Sequence, residues 1–228
     1  MSDYSVFDIA GPIMIGPSSS HTAGAAKIGL IARSIFGKQP EKVTLFLHGS
    51  FAQVYAGHAT DRALISGLLG FAPDDTRLCN AFDIAKEQGM SYEFKTKNLG
   101  KEYHANTVQI IMHTGAEETT IIGSSIGGGV VEIKQIDNFP VRLTSSQARF
   151  CCMVIWHQHT ADLIDSIVEY LSKIHKKIHH QIASRDPHNI ALSLTIMVLS
   201  QPLSEAELKE ITKKAGITKV VKLQDLPV

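Results

Sequence analysis

The 228-residue sequence predicts an α+β protein in two parts, an N-terminal α/β domain over residues 1–140 and a C-terminal ferredoxin-like βαββαβ domain over residues 148–228. Three observations carry this reading. Before residue 136, helix-type and strand-type apolar runs alternate and then give way to a hairpin pattern. Residues 136–149, IDNFPVRLTSSQAR, set a proline, polar residues and a serine pair between two apolar blocks, as a domain boundary does. Beyond that boundary the apolar runs fall in the order strand, helix, strand, strand, helix, strand.

The elements follow in order. The Ala/Gly-rich stretch AGAAKIGLIARSIFG predicts a closely packed helix, with Ser20 or Thr22 as its N-cap and Gly37 as its stop. KVTLFLHGS reads as a strand and TDRALISGLLGF as the next helix. NTVQIIMHTG and ETTIIGSS are paired strands joined through His113–Glu117, and Gly127-Gly128-Gly129 breaks the pattern. In the second part RFCCMVIW, KIHHQIASR, IALSLTIMVLS and KVVKLQD read as strands and ADLIDSIVEYLSKIH as a helix. Its second helix opens on Ser204 and Glu207 at capping-box spacing.

Composition narrows the function. Lys plus Arg equals Asp plus Glu at 22 each, so no global field attracts nucleic acid or an anionic membrane. The longest apolar runs, such as Ile190–Leu199, reach about half of the roughly 20 residues that span a bilayer, and the expected location is the cytoplasm. Cys79, Cys151 and Cys152 match neither zinc nor iron–sulfur spacing, so no metal site is expected on this chain.

Three motifs carry chemistry. Gly16-Pro17-Ser18-Ser19-Ser20-His21-Thr22 puts hydroxyls and an imidazole at a helix start, where unpaired backbone N–H groups and the helix dipole favour an anion such as a carboxylate. Taken alone, it equally suits an ordinary serine-rich cap. Gly57-His58-Ala59-Thr60-Asp61 places a histidine in a loop before the next helix, with a pKa suited to taking a proton at neutral pH and with Thr60 and Asp61 to cap the helix or orient the ring. Ser124-Ser125-Ile126-Gly127-Gly128-Gly129 exposes backbone amides to a close ligand or another chain, or is simply a turn.

GPSSSHT, GHATD, HANTVQI and SIGGG, in this order, closely resemble the beta subunit, or beta domain, of bacterial iron–sulfur L-serine dehydratases, and the βαββαβ tail resembles an ACT domain. The loop at His157–Asp162 lacks the Pro-Gly common in ACT modules. The first domain is also similar to the substrate-binding regulatory domain of some phosphoglycerate dehydrogenases. The resemblance implies conversion of L-serine to pyruvate and ammonia without pyridoxal phosphate. It implies a partner alpha chain holding a [4Fe–4S] cluster on three cysteines, with one iron open to the substrate hydroxyl as a Lewis acid. Carried onto this sequence, it assigns His58 or His21 as the base, with His58 preferred because a helix start depresses the pKa of His21 and suits it to hydrogen bonding. It assigns Ser18, Ser19, Ser20 and Thr22 to the substrate carboxylate, Asn106, Gly127 and Gly128 to substrate or alpha-chain contact, and self-association to the ACT-like part. Two competing readings remain: a regulatory module that senses an amino or hydroxy acid, and a scaffold whose tail only dimerises.

Overall fold

The computed structural model describes residues 14–55, 57–148 and 151–223. A six-stranded sheet and a four-stranded sheet form its frame, and the α+β class is as expected.

The chain enters through a π-helical turn, Ser19–Ala23, that runs directly into α1 (Gly24–Phe36). Ser18 is the N-cap in place of Ser20 or Thr22, its hydroxyl accepting the His21 N–H. Gly37 ends α1 with φ 88°, donating its N–H to the Arg33 carbonyl, a left-handed stop that glycine makes without strain. β1 (Lys42–His48) alternates, burying Val43, Leu45 and Leu47. A short helix α2 (Gly49–Val54) follows, then α3 (Thr60–Leu68), α4 (Ala81–Glu87) and β2 (Ser91–Thr96), which lies parallel to β1. β3 (Asn106–Thr114), β4 (Glu117–Gly127), β5 (Val130–Ile136) and β6 (Phe139–Thr144) complete the sheet in the order β2-β1-β3-β4-β5-β6, antiparallel beyond the β1–β2 pair.

α1 is buried along almost its whole length, which its small residues permit. A Cβ added at Gly29 would lie 2.4 Å from the Leu64 carbonyl oxygen, and one at Gly67 would lie 2.1 Å from that of Ala26. Backbone therefore meets backbone where α1 crosses α3. Arg33, a turn further along α1, lies against Gly70, just past the end of α3, so the two helices run side by side in the same direction.

β6 lies inside the segment read as a boundary: Phe139, Val141 and Leu143 are buried, and Pro140 and Arg142 are exposed. The first sheet therefore continues through Thr144. A short helix α5 (Ser145–Ala148) leads to β7 (Cys151–Gln158), α6 (Ala161–Lys173), β8 (Ile178–Arg185), β9 (Leu192–Leu199), α7 (Glu205–Thr212) and β10 (Ile217–Leu223). The expected βαββαβ order is present, and the antiparallel sheet runs β10-β7-β9-β8. Its helix-covered face buries Met153, Ile155 and Met197 against Leu163, Ile167 and Ile211. The opposite face, with Val154, Trp156, Ile196 and Val198, joins the same apolar core as α1 and the larger sheet. Polar ties reinforce that junction. Trp156 Nε1 donates to the Asp137 carboxylate at 2.9 Å, and Lys219 bridges the Phe36 carbonyl and Glu117. Among the described residues no helix is long and apolar enough to cross a membrane.

Candidate active site: two histidines at paired helix starts

Because α1 and α3 run parallel, their N-terminal ends lie together at one end of the six-stranded sheet, and His21 and His58 meet there with ring centroids 5.2 Å apart. The positive ends of two helix dipoles thus lie side by side. The N–H groups of Thr22, Ala23 and Gly24 bond back to the Ser18 and Ser19 carbonyls and that of Thr60 to the Tyr55 carbonyl, and among the described residues the earlier N–H groups of Ser19 and Ser20 have no acceptor.

His21 is held on all sides. Its Nδ1 lies 3.1 Å from Ser20 Oγ, its Nε2 lies 2.9 Å from Ser50 Oγ, and its ring stands edge-on to Phe51. Ser18 Oγ accepts the His21 backbone N–H at 3.1 Å and lies 3.4 Å from Ser20 Oγ. Burial, and secondarily the proximity of His58, push the His21 pKa below its ordinary value, so this ring is neutral at physiological pH. The expected depression is present, with burial as its main cause rather than the helix start.

His58 is arranged differently. Its Nδ1 is buried and has no hydrogen-bond partner among the described residues. Its backbone is fixed by a 3.2 Å bond from its N–H to the Val54 carbonyl and by the Thr22 hydroxyl, which donates to the His58 carbonyl at 2.9 Å. Thr22 is thereby spent on positioning the loop. The next residue, Ala59, sits in the left-handed region at φ 55°, a conformation that costs a non-glycine residue energy and is concentrated at functional sites. Asp61 bonds the Arg62 N–H and does not reach the imidazole.

The remaining predicted residues share this end of the sheet. Asn106, buried at the start of β3, is bridged to Gly49 beside Ser50. Gly127 ends β4 and Gly128 opens the turn after it; Ser125 of the same strand packs against Gly24 of α1. Among the described residues no hydrogen bond joins Asn106 or these glycines to the histidine pair. Ser19 lies within the π-turn. Sequence reasoning missed Ser50, which α2 brings to His21; the only signal was a serine directly after the HG that ends β1.

Among the described residues no three His, Cys, Asp or Glu side chains are gathered to hold a metal ion. Burial pushes the Cys152 thiol up to about 12, and it donates to the Gln147 carbonyl, so it is a poor thiolate ligand. Cys79 stands in an exposed turn remote in sequence. These residues do not fit an iron–sulfur cluster.

The chain is 39% identical over 207 residues to the L-serine dehydratase beta chain of Peptoniphilus asaccharolyticus, covering 90% of this chain and 91% of that one. It belongs to the serine dehydratase beta-chain family. The family's own profile, described as serine dehydratase beta chain, matches residues 5–97, which contain both histidines. A second family member, the probable L-serine dehydratase beta chain of Bacillus subtilis, is 40% identical over 222 residues, covering 97% of this chain and 98% of that one. A D-3-phosphoglycerate dehydrogenase from Synechocystis is 25% identical over 196 residues, covering 85% of this beta-chain family member but 34% of the enzyme.

Proposed function

We propose that this chain is the beta subunit of a cytoplasmic L-serine dehydratase, supplying half of an active site that converts L-serine to pyruvate and ammonia. The other half, with a [4Fe–4S] cluster, belongs to an alpha chain. The relatives' names support the reaction. The observation that carries this chain's role is the buried His58 Nδ1, without a partner among the described residues, beside a His21 whose two ring nitrogens are both engaged.

The substrate carboxylate binds at the start of the π-turn before α1, against the N–H groups of Ser19 and Ser20, which have no acceptor among the described residues, and the hydroxyls of Ser18 and Ser19. Negative charge grows on that carboxylate as the Cα proton departs, and donors already in place stabilise it without reorganising. His58 takes the Cα proton. His21, neutral and hydrogen-bonded, and Thr22 hold the geometry. Asn106, Gly127 and Gly128 contact the substrate or the alpha chain. Loss of the hydroxyl as water leaves aminoacrylate, which tautomerises to an imine and hydrolyses. The C-terminal unit is an ACT-like module that self-associates; its order of elements and its edge strand β8, which among the described residues pairs with a strand on one side only, support this.

The test is anaerobic L-serine deamination by the reconstituted two-chain complex. His58→Ala should lower kcat by about 10²–10⁴-fold, the usual worth of a general base, while the chains still co-elute. Wild-type turnover in an intact His58→Ala complex overturns the base assignment. A cluster-loaded wild-type complex that releases no pyruvate overturns the reaction itself and leaves a regulatory module.

A further inference from the structure

Building on the L-serine dehydratase reading, we propose that Ser50, His21 and Ser20 form a proton wire that protonates the departing substrate hydroxyl, separately from the Cα proton taken by His58. The wire is continuous: Ser50 Oγ to His21 Nε2 is 2.9 Å and His21 Nδ1 to Ser20 Oγ is 3.1 Å. A hydroxyl donates and accepts at once, and a neutral imidazole donates from one nitrogen while accepting at the other. Reversing the direction of each hydrogen bond therefore moves one proton from end to end with no ring rotation. All three residues are half-buried, so both ends reach the surface of the site. Burial that keeps His21 neutral suits a relay rather than a stored cation.

The placement of Ser50 is built into the fold. α2 is only six residues long. It is anchored by the fully buried Phe51 and by Gly49, whose φ of 57° and contact with Ala105, 2.6 Å from carbonyl oxygen to an added Cβ, exclude a side chain. His58, whose Nδ1 has no partner among the described residues, stands outside the wire. Two histidines thus have two proton tasks.

The step balances. The Cα–H electron pair is first held by the carboxylate, in a reversible step, and then becomes the new C=C bond as the Cβ–O bond breaks. The leaving oxygen takes the Ser20 hydroxyl proton and departs as water. Ser20 recovers a proton from His21 Nδ1, His21 Nε2 takes the Ser50 proton, and Ser50 is refilled from solvent. The proton on His58 returns to solvent, so none is gained or lost overall; His21 is left as the Nε2–H tautomer and returns to Nδ1–H by proton exchange with solvent before the next turnover.

The experiment compares L-serine with its Cα-deuterated form, in H₂O and D₂O, in the full two-chain complex. Ser50→Ala should lower kcat by about 10–100-fold, part of the span of general acid catalysis, with little change in KM. The solvent isotope effect should rise and the Cα-deuterium effect should fall towards one, because proton delivery becomes limiting. Ser50→Thr, which restores the hydroxyl, should recover most of the rate. Ser20→Ala opens the other end of the wire and must give the same pair of isotope changes, whether or not Ser50→Ala assembles. Unchanged isotope effects in either intact variant overturn the wire while leaving the dehydratase reading in place. Absence of pyruvate from the wild-type complex overturns that reading instead.

Discussion

The starts of α7 and α1 use the same residue types to opposite ends. At α7, Ser204 accepts the Glu207 N–H and the Glu207 carboxylate accepts the Ser204 N–H, a closed pair with both side chains consumed by the helix. At α1 only Ser18 caps. Ser20 is turned to an imidazole and Thr22 to the carbonyl of His58, and the helix opens in a π-turn, a form frequent at functional sites. Neither α3 nor α6 has a side-chain cap. A hydroxyl at a helix start thus stabilises the fold where its bond closes on the helix backbone, and serves a site where it is turned to a side chain of that site or to another element.

Four substitutions break or sharpen that contrast. The largest effect is expected at the crossing that brings the two helix starts together. Gly67→Ala drives a methyl into the Ala26 carbonyl and should cost at least about 3 kcal/mol of unfolding free energy, read by denaturant melts. A loss below 1 kcal/mol would mean that α1 and α3 separate easily. Next, Ser18→Ala should raise the KM for L-serine about tenfold, equivalent to roughly 1.4 kcal/mol, beyond its modest cost as a lost cap. An unchanged KM would make this start as purely structural as that of α7. Ser204→Ala should cost about 1 kcal/mol of stability while kcat and KM stay at wild-type values. The smallest effect belongs to Lys219. Glu117 is held below its ordinary carboxylate range first by the Lys219 hydrogen bond and then by Lys38. A carboxylate with a depressed folded pKa stabilises above its unfolded value and loses that contribution as pH falls through the folded one. Lys219→Met should therefore cost no more than about 1 kcal/mol at pH 7, because Glu117 is partly exposed, and the difference should shrink below the ordinary value of 4.5. A pH-independent loss would trace the effect to the Phe36 carbonyl contact instead.

Long periodic elements were legible: α1 with its Gly37 stop, α3, the β3–β4 hairpin and all six elements of the C-terminal unit follow from apolar spacing and turn chemistry. Short or interrupted ones were not. β6 carries a clean alternation of Phe139, Val141 and Leu143, but Pro140 between them reads as a break. It is tolerated because this is an edge strand, where proline is accommodated. α2 is too short for helical periodicity, and Ser50 was lost with it. His21 and His58 were legible as individual candidates. Their pairing was not, because it depends on a helix crossing that no local pattern encodes. The cap fell to Ser18 because the Ser20 hydroxyl is turned to the His21 imidazole and the Thr22 hydroxyl to the His58 carbonyl.

The glycine contact between α1 and α3 acts at a distance. Gly29 and Gly67 lie eight and nine residues beyond His21 and His58, about 12–13 Å along each helix at 1.5 Å per residue. The gap between the two imidazoles is gauged there, as calliper jaws are set by their pivot. Any side chain at the pivot spreads the jaws, so a mutation with no contact to either histidine would mis-set a spacing on which proton transfer depends.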